Sequence, residues 1–355
     1  MEPVRVERAR WEEAPEERAP DASAEPEPEI VFGSRFKSAI GFPARLSDDD
    51  RALWRRLAPD VERISIESSA DGAPQRALYY DSGSARDKPL LVVLHSWSAS
   101  YLQNIHIPYA RFAVENDWVF VQPNFRGPNR RPEATLSELA VQDVLDAVDH
   151  AEKQANVDPS RIYLIGYSSG AMMALVLAGR EPDRWAGVAA WVAVYDLADW
   201  YEDTRRKGSR YAREIEISCG GAPRPGTAAA EECLRRSPAG WLHRAAGRAP
   251  VFIAHGLHDH LASPDHAIRA FNALAAPEDR LSDAEREHIV RRRALPDGLD
   301  GARIGELDDD PYFGPIDVPL VLRRSSGAAT LALYDGAHDM FYEPGLRWLS
   351  EQRRG

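Results

Sequence analysis

The sequence predicts an α/β protein, a mostly parallel sheet with helices on both faces and a cap inserted near the sheet edge. Three observations predict it. Continuous apolar runs recur at 89–94, 118–121, 162–165, 185–194 and 250–254, as expected of strands covered on both faces. Segments with helical spacing lie between them, and that alternation builds parallel strands with crossover helices. The third is Arg161-Ile-Tyr-Leu-Ile-Gly-Tyr-Ser-Ser-Gly-Ala-Met-Met-Ala-Leu175, which reads as a strand, a tight G-x-S-x-G turn and a helix. A serine in that setting is a nucleophile elbow. Side chains at Gly166 and Gly170 would collide with neighbouring backbone. The turn holds the Ser168 hydroxyl over the sheet edge, with a helix N-terminus behind it offering N–H groups to a developing negative charge.

The elements follow in order. Residues 1–30 carry ten acids against four arginines and are rich in Pro and Ala, so they cannot bury enough apolar surface to order themselves. A disordered acidic tail over 1–35 is expected, followed by one domain over 36–355. Val61–Glu67 alternates apolar and polar, the mark of a half-buried strand, and Ala77–Tyr80 is its hairpin partner. The strands at 89–94 and 118–121 run into His95-Ser-Trp-Ser98 and the loop Pro123–Asn129. Thr135-Leu-Ser-Glu138 reads as a capping box opening a helix, in which Ala140, Val144, Ala147, Val148 and Ala151 share a face. Asp158–Ser160 reads as the connection into the elbow strand. Residues 196–248 are polar, contain Gly220-Gly221, Pro223 and Pro225, and interrupt the rhythm as a cap or lid. Strand 250–254 ends in His255-Gly-Leu-His-Asp-His260. A helix over 264–275, a capping box at Ser282–Glu285, strands at 318–323 and 329–334 and a terminal helix complete the chain.

Composition narrows the function. The chain has 355 residues, 44% of them hydrophobic, enough for a sizeable core. Its net charge is −12, of which the first 30 residues supply −6 (ten acids, four arginines). No basic patch suggests nucleic-acid binding. No apolar run approaches the ~20 residues of a membrane span, and the N-terminus lacks the apolar core of a signal peptide, so a cytoplasmic protein is expected. Cys219 and Cys233 are too few for a disulfide framework; free thiols are the expectation in a reducing cytosol, with a pair as the alternative under oxidising conditions.

A serine hydroxyl needs a base, best a histidine, and the histidine needs a carboxylate to fix its tautomer. Ser168, Asp259 and His338 each fall just past a strand end, where active groups of such sheets sit. Asp196 and Asp265 are the alternative acids. The oxyanion hole would take the backbone N–H of Ser169 and a second donor from the loop after Leu94, either the Trp97 N–H or the His95 side chain. Trp97, Tyr167, Arg126, Trp200 and Tyr201 are candidates for substrate contact. His255, His258 and His260 do not match zinc-ligand spacing, so no metal is assigned.

At these residues the chain resembles the α/β-hydrolase superfamily, and most of all the catalytic domain of its prolyl oligopeptidase branch, over about residues 60–350. Beyond the elbow, Asn124-Phe-Arg-Gly127 resembles the branch's N-P-R-G loop. Val157-Asp-Pro-Ser-Arg-Ile162 resembles its lead into the elbow strand, and His255-Gly-Leu-His-Asp259 its H-G-x-x-D acid loop. The resemblance implies the α/β-hydrolase fold, Ser168 as nucleophile, His338 as base and Asp259 as acid. The chain departs from the branch at Ser169 and Ala171, where an aromatic residue and a glycine are usual, and at His95-Ser96, where a tyrosine or H-G is common. Only about 60 residues precede the matching region, fewer than the branch's β-propeller needs, and small propeller-less relatives are often esterases.

The expected activity is a serine hydrolase cleaving a small-molecule carboxylic ester through an acyl-enzyme, with no cofactor, nucleic-acid or membrane partner. A small peptidase or amidase uses the same chemistry. Acyl transfer or peptide cyclisation would need water excluded beneath the cap. A non-catalytic binding protein would have no need for all three of Ser168, Asp259 and His338.

Overall fold

The computed structural model describes residues 29–32, 36–299 and 310–355. The expected tail over 1–35 falls largely outside them. At its end the expectation is corrected. Val31 exchanges hydrogen bonds with the Asn116 side chain, and Phe32 packs on Phe112 at 5.6 Å beneath the Arg347 guanidinium.

Nine strands form one sheet among the described residues: β1 (Glu62–Glu67), β2 (Pro74–Tyr80), β3 (Lys88–Leu94), β4 (Val119–Pro123), β5 (Val157–Tyr167), β6 (Gly187–Trp191), β7 (Val251–Gly256), β8 (Leu320–Ser326) and β9 (Ala329–Tyr334). Their spatial order is β1-β2-β4-β3-β5-β6-β7-β9-β8. From β4 to β9 the neighbours are parallel; β1, β2 and β8 are antiparallel additions at the two edges. The helices are α1 (Arg51–Leu57), α2 (Ile107–Glu115), α3 (Glu138–Gln154), α4 (Ser169–Arg180), α5 (Leu197–Arg206), α6 (Arg210–Cys219), α7 (Ala228–Arg235), α8 (Asp265–Leu274), α9 (Asp283–Arg292) and α10 (Tyr342–Ser350).

Strand alternation divides the core into two layers. Leu90, Val92, Leu94, Val119, Val121, Ile162, Leu164, Val188, Ala190, Val251 and Ile253 share one cluster with residues of α3, α4 and α8. Their strand neighbours face the other way. Phe120 meets Trp54 of α1, Phe252 meets Trp348 of α10, and Gly345 of α10 lies against Ile165 and Trp191. The fully apolar strands are therefore covered on both faces, the pattern expected of a buried parallel sheet.

Two local expectations fail. The first turn of α3 is capped by Ser137, whose Oγ accepts from the Ala140 N–H, and not by Thr135. Thr135 instead adopts φ +42° and bonds through its hydroxyl to Ser218. The connection expected at Asp158–Ser160 is part of β5 itself. The capping box of α9 at Ser282 and Glu285 forms as read. Residues 196–248 form α5, α6, α7 and short 3-10 turns, and the turn at Trp241-Leu242 lies so close to α4 that a Cβ at Gly179 would sit 2.4 Å from Trp241 backbone. Cys219, at the end of α6, is joined to Cys233 of α7. This corrects the free-thiol expectation, since the two helices bring the Cα atoms to 5.4 Å. Among the described residues no helix is long and apolar enough to cross a membrane.

Candidate active site

The site is built on three strand ends. Strand β5 passes into α4 through Ser168, at φ 57° and ψ −117°, a strained conformation for a side-chain-bearing residue. The glycines allow it. A Cβ on Gly166 would lie 2.3 Å from the Gly170 backbone, and one on Gly170 would lie 1.9 Å from the Leu94 carbonyl oxygen. The N-terminus of α4 therefore rests directly on the end of β3. The Ser168 N–H donates to Trp191 O at 2.9 Å, which ties the elbow to β6.

The loop after β9 brings His338 to this serine. His338 Nε2 stands 3.1 Å from Ser168 Oγ, and Nδ1 stands 2.6 Å from Asp259 Oδ2 in the loop after β7. The Asp259 carboxylate is fully buried. Its Oδ1 accepts from the Leu261 and Ala262 N–H groups at 2.8 and 3.0 Å, and its Oδ2 lies 3.1 Å from His255 Nε2. Burial alone would raise this carboxyl. The hydrogen bonds from His255 and His338 outweigh it and hold Asp259 well below the usual carboxylate range. Because Asp259 Oδ2 can only accept, the His338 proton sits on Nδ1, leaving the Nε2 lone pair facing Ser168. The arrangement can move a proton from the serine hydroxyl to the imidazole.

The alternative acids are occupied elsewhere. Asp196 caps α5, its Oδ1 accepting from the Ala198 and Asp199 N–H groups. Its carboxyl is raised by burial and by the charge of Asp199. Asp265 pairs with Arg286.

The candidates for oxyanion donor also separate. Neither the Ser169 nor the Trp97 backbone N–H is engaged by a hydrogen bond among the described residues. The His95 side chain is corrected out of this role. Its Nε2 faces Asn124 O at 2.7 Å, its Nδ1 faces Ser96 O at 3.1 Å, and the ring lies on Phe125 at 3.9 Å. Burial pushes its pKa down.

Of the substrate-contact candidates, Trp97 lies edge-on to Trp200 at 5.0 Å, beneath the cap. Trp97 Nε1 donates to Glu214 of α6, and Trp200 Nε1 donates to Leu261 O beside Asp259. These aromatics clamp the cap to the loops that carry Trp97 and Asp259. Three candidates are corrected. The Arg126 donors are spent on Asp143, Asp71 and Ser68, so that guanidinium braces the sheet edge. The Tyr201 hydroxyl bonds Glu216 within the cap. Tyr167 is buried, and its hydroxyl donates to His338 O at 3.0 Å, supporting the histidine loop.

Sequence reading missed Asn129, Glu214 and the contact of His255 with Asp259. The H-G-x-x-D pattern marked His255 without giving it a role; Asn129 and Glu214 carried no signal. The histidines considered for metal diverge, His255 to Asp259 and His258 to Asp335. Among the described residues no group of three or more His, Cys, Asp or Glu is placed to hold a metal ion.

Comparison with known proteins adds a family. The model of the prolyl oligopeptidase family matches residues 107–292, just over half of the chain, taking in Ser168 and Asp259. The acylamino-acid-releasing enzyme of Arabidopsis thaliana is 28% identical over 218 residues, 49% of this chain and 27% of that protein. Acetylxylan esterase A of Aspergillus oryzae is 25% identical over 166 residues, 44% of this chain and 53% of that protein. The chain thus spans about a quarter of the length of the first and about half of the second. The acylaminoacyl peptidase structure from Pyrococcus horikoshii superposes with a TM-score of 0.48 at 16% identity, covering 60% of this chain and 34% of that one.

Proposed function

The chain belongs to the prolyl oligopeptidase family and is a serine hydrolase, and on that premise we propose that it cleaves carboxylic esters through an acyl-enzyme on Ser168. The observation that carries the proposal is the continuous line from Ser168 Oγ through His338 to the buried Asp259. In this reading His338 Nε2 takes the hydroxyl proton as Ser168 Oγ attacks the carbonyl carbon. The Ser169 and Trp97 N–H groups receive the oxyanion. His338 then returns the proton to the leaving alcohol, and a water deprotonated by His338 releases the acid and restores the serine. Asp259 stays ionised and stabilises the imidazolium. No step calls for a cofactor.

Ester cleavage is the less demanding half of this chemistry, because an alkoxide departs with less help from the acid than an amine does. A second reading, release of an acylated amino acid from a peptide, is favoured by the alignment with acylamino-acid-releasing enzyme. Comparing kcat/KM for p-nitrophenyl esters of increasing acyl length with acyl-aminoacyl amides separates the two. Turnover of esters with amides slower by more than about a thousandfold supports the esterase. Comparable rates on both would move the assignment to the peptidase.

A further inference from the structure

The two candidate oxyanion donors come from separate segments of the chain. Ser169 opens α4, whereas Trp97 sits in an irregular loop after β3. To act together, both N–H groups must aim at one point within about 0.5 Å. Gln103 ties Ser96 and Glu214 ties the Trp97 indole, but neither bond reaches Ser169, so the aim of one donor relative to the other needs a further link.

Asn129 connects the two pieces. It is fully buried, in the loop between β4 and α3. Its backbone N–H donates to Trp97 O at 2.8 Å, and its Nδ2 donates to Ser169 Oγ at 2.9 Å. Its Oδ1 accepts from the Thr135 N–H at 2.8 Å. On the other side of Trp97, the Ser96 carbonyl is held by the Ala99 N–H. Each half of the oxyanion hole is therefore bonded to the same buried side chain or its own backbone. Thr135 and Leu136 adopt φ +42° and +56°, values that cost free energy in residues with branched or bulky side chains. The bond from Thr135 N–H to Asn129 and the contact of Thr135 Oγ1 with Ser218 Oγ at 2.8 Å hold that segment in place. Ser218 belongs to α6, the helix whose Glu214 grips Trp97 Nε1. The oxyanion loop thus reaches Asn129 directly through the Trp97 carbonyl, and the cap reaches it through Thr135.

We infer that Asn129 is a positioning residue that sets the spacing and aim of the two oxyanion donors, Ser169 and Trp97. The inference rests on the reading of Ser168 as the nucleophile. Asn129 touches no reacting atom; its side chain acts through the Ser169 hydroxyl and the Thr135 N–H, and its backbone N–H holds the Trp97 carbonyl. Its removal is expected to raise the barrier to the tetrahedral intermediate while leaving ground-state binding in place.

The test compares Asn129→Ala, Ser169→Ala and the double variant, using a p-nitrophenyl ester and an aryl trifluoromethyl ketone, whose hemiketal carries the oxyanion charge. Loss of one oxyanion donor typically costs 10²–10³ in kcat, so a donor left in place but misaimed is expected to cost roughly 10- to 100-fold. KM should stay within about twofold, and the ketone Ki should weaken in parallel with kcat. Ser169→Ala removes only the oxygen that Asn129 grips and leaves the Thr135 bond. It is expected to lower kcat about fivefold or more, and it carries the test if Asn129→Ala does not fold. The double variant should be no slower than Asn129→Ala, because the two changes break one linkage. Wild-type kcat in the folded single variants, or a KM rise with unchanged kcat, would overturn the inference while fluorophosphonate labelling of Ser168 in the unaltered protein kept the nucleophile reading. Failure of the unaltered protein to label would overturn both.

Discussion

Replacing Asp259 with asparagine changes one atom and tests the proton relay most sharply. The carboxylate is saturated. Two backbone N–H groups reach Oδ1, and two imidazole nitrogens reach Oδ2. An asparagine keeps its carbonyl toward the Leu261 and Ala262 N–H groups, because the reverse orientation would set three donors against one another. Its NH2 then faces His338 Nδ1 and forces the proton onto Nε2. That tautomer points an N–H at Ser168 Oγ and cannot accept the serine proton. A triad aspartate changed to asparagine in this way costs about 10⁴ in kcat, and we expect that scale for every substrate. His255 Nε2 also loses an ionic acceptor, which should destabilise the fold by about 1.5–3 kcal/mol. Asp196→Asn is the control. Asparagine caps a helix as well as aspartate does, so its kcat should change by less than about tenfold. Steady-state kinetics on both variants, with circular dichroism to confirm folding, provide the assay. If Asp259→Asn retains kcat within tenfold while Asp196→Asn loses it, the acid is Asp196 and the loop at His255 is structural.

Acid should unfold the protein through its buried histidines. Burial, with the nearby charge of His95, holds His106 at about 3, and burial, with Arg269 and His255, holds His266 at about 4. Their unfolded pKa is about 6.5, so between pH 6.5 and 4 the unfolded chain binds more protons, and stability falls by up to about 1.4 kcal/mol per pH unit for each histidine. A urea midpoint that is flat across this window would contradict the burial. Reduction of the Cys219–Cys233 bond, whose partners are 14 residues apart, should add about two daltons and remove about 3 kcal/mol of stability. A bond of this kind persists in oxidising compartments, which pulls against the cytoplasmic expectation; unchanged mass on reduction of protein purified without reductant would favour the free thiols. Gly170→Ala places a methyl 1.9 Å from the Leu94 carbonyl, so it should abolish activity and lower Tm by several degrees or more. Wild-type melting and turnover would show that the elbow can open enough to take a methyl beside the Leu94 carbonyl.

The parallel strands could be read from the chain because burial on both faces leaves continuous apolar runs, and Ser168, Asp259 and His338 stood out because each follows such a run. What escaped was set by tertiary partners. Thr135 and Glu138 fit the capping-box spacing, yet Asn129 and Ser218 claim Thr135, and Ser137 takes the cap. Arg126 looked available to substrate, but its partners Asp71 and Asp143 lie 55 and 17 residues away in sequence. Asn129 is an ordinary loop asparagine until β3 and α4 meet around it. The cysteine expectation rested on compartment, whereas the geometry of α6 and α7 decides whether two sulfurs can meet.

The central claim is that Ser168 is the nucleophile. Reaction with a fluorophosphonate, followed by peptide mapping, tests it directly. A single covalent adduct on the peptide bearing Ser168 is expected, absent from Ser168→Ala, whose kcat should fall on the order of 10⁶ while its circular dichroism spectrum is unchanged. Labelling of Ser168→Ala at another serine with ester turnover retained would contradict it.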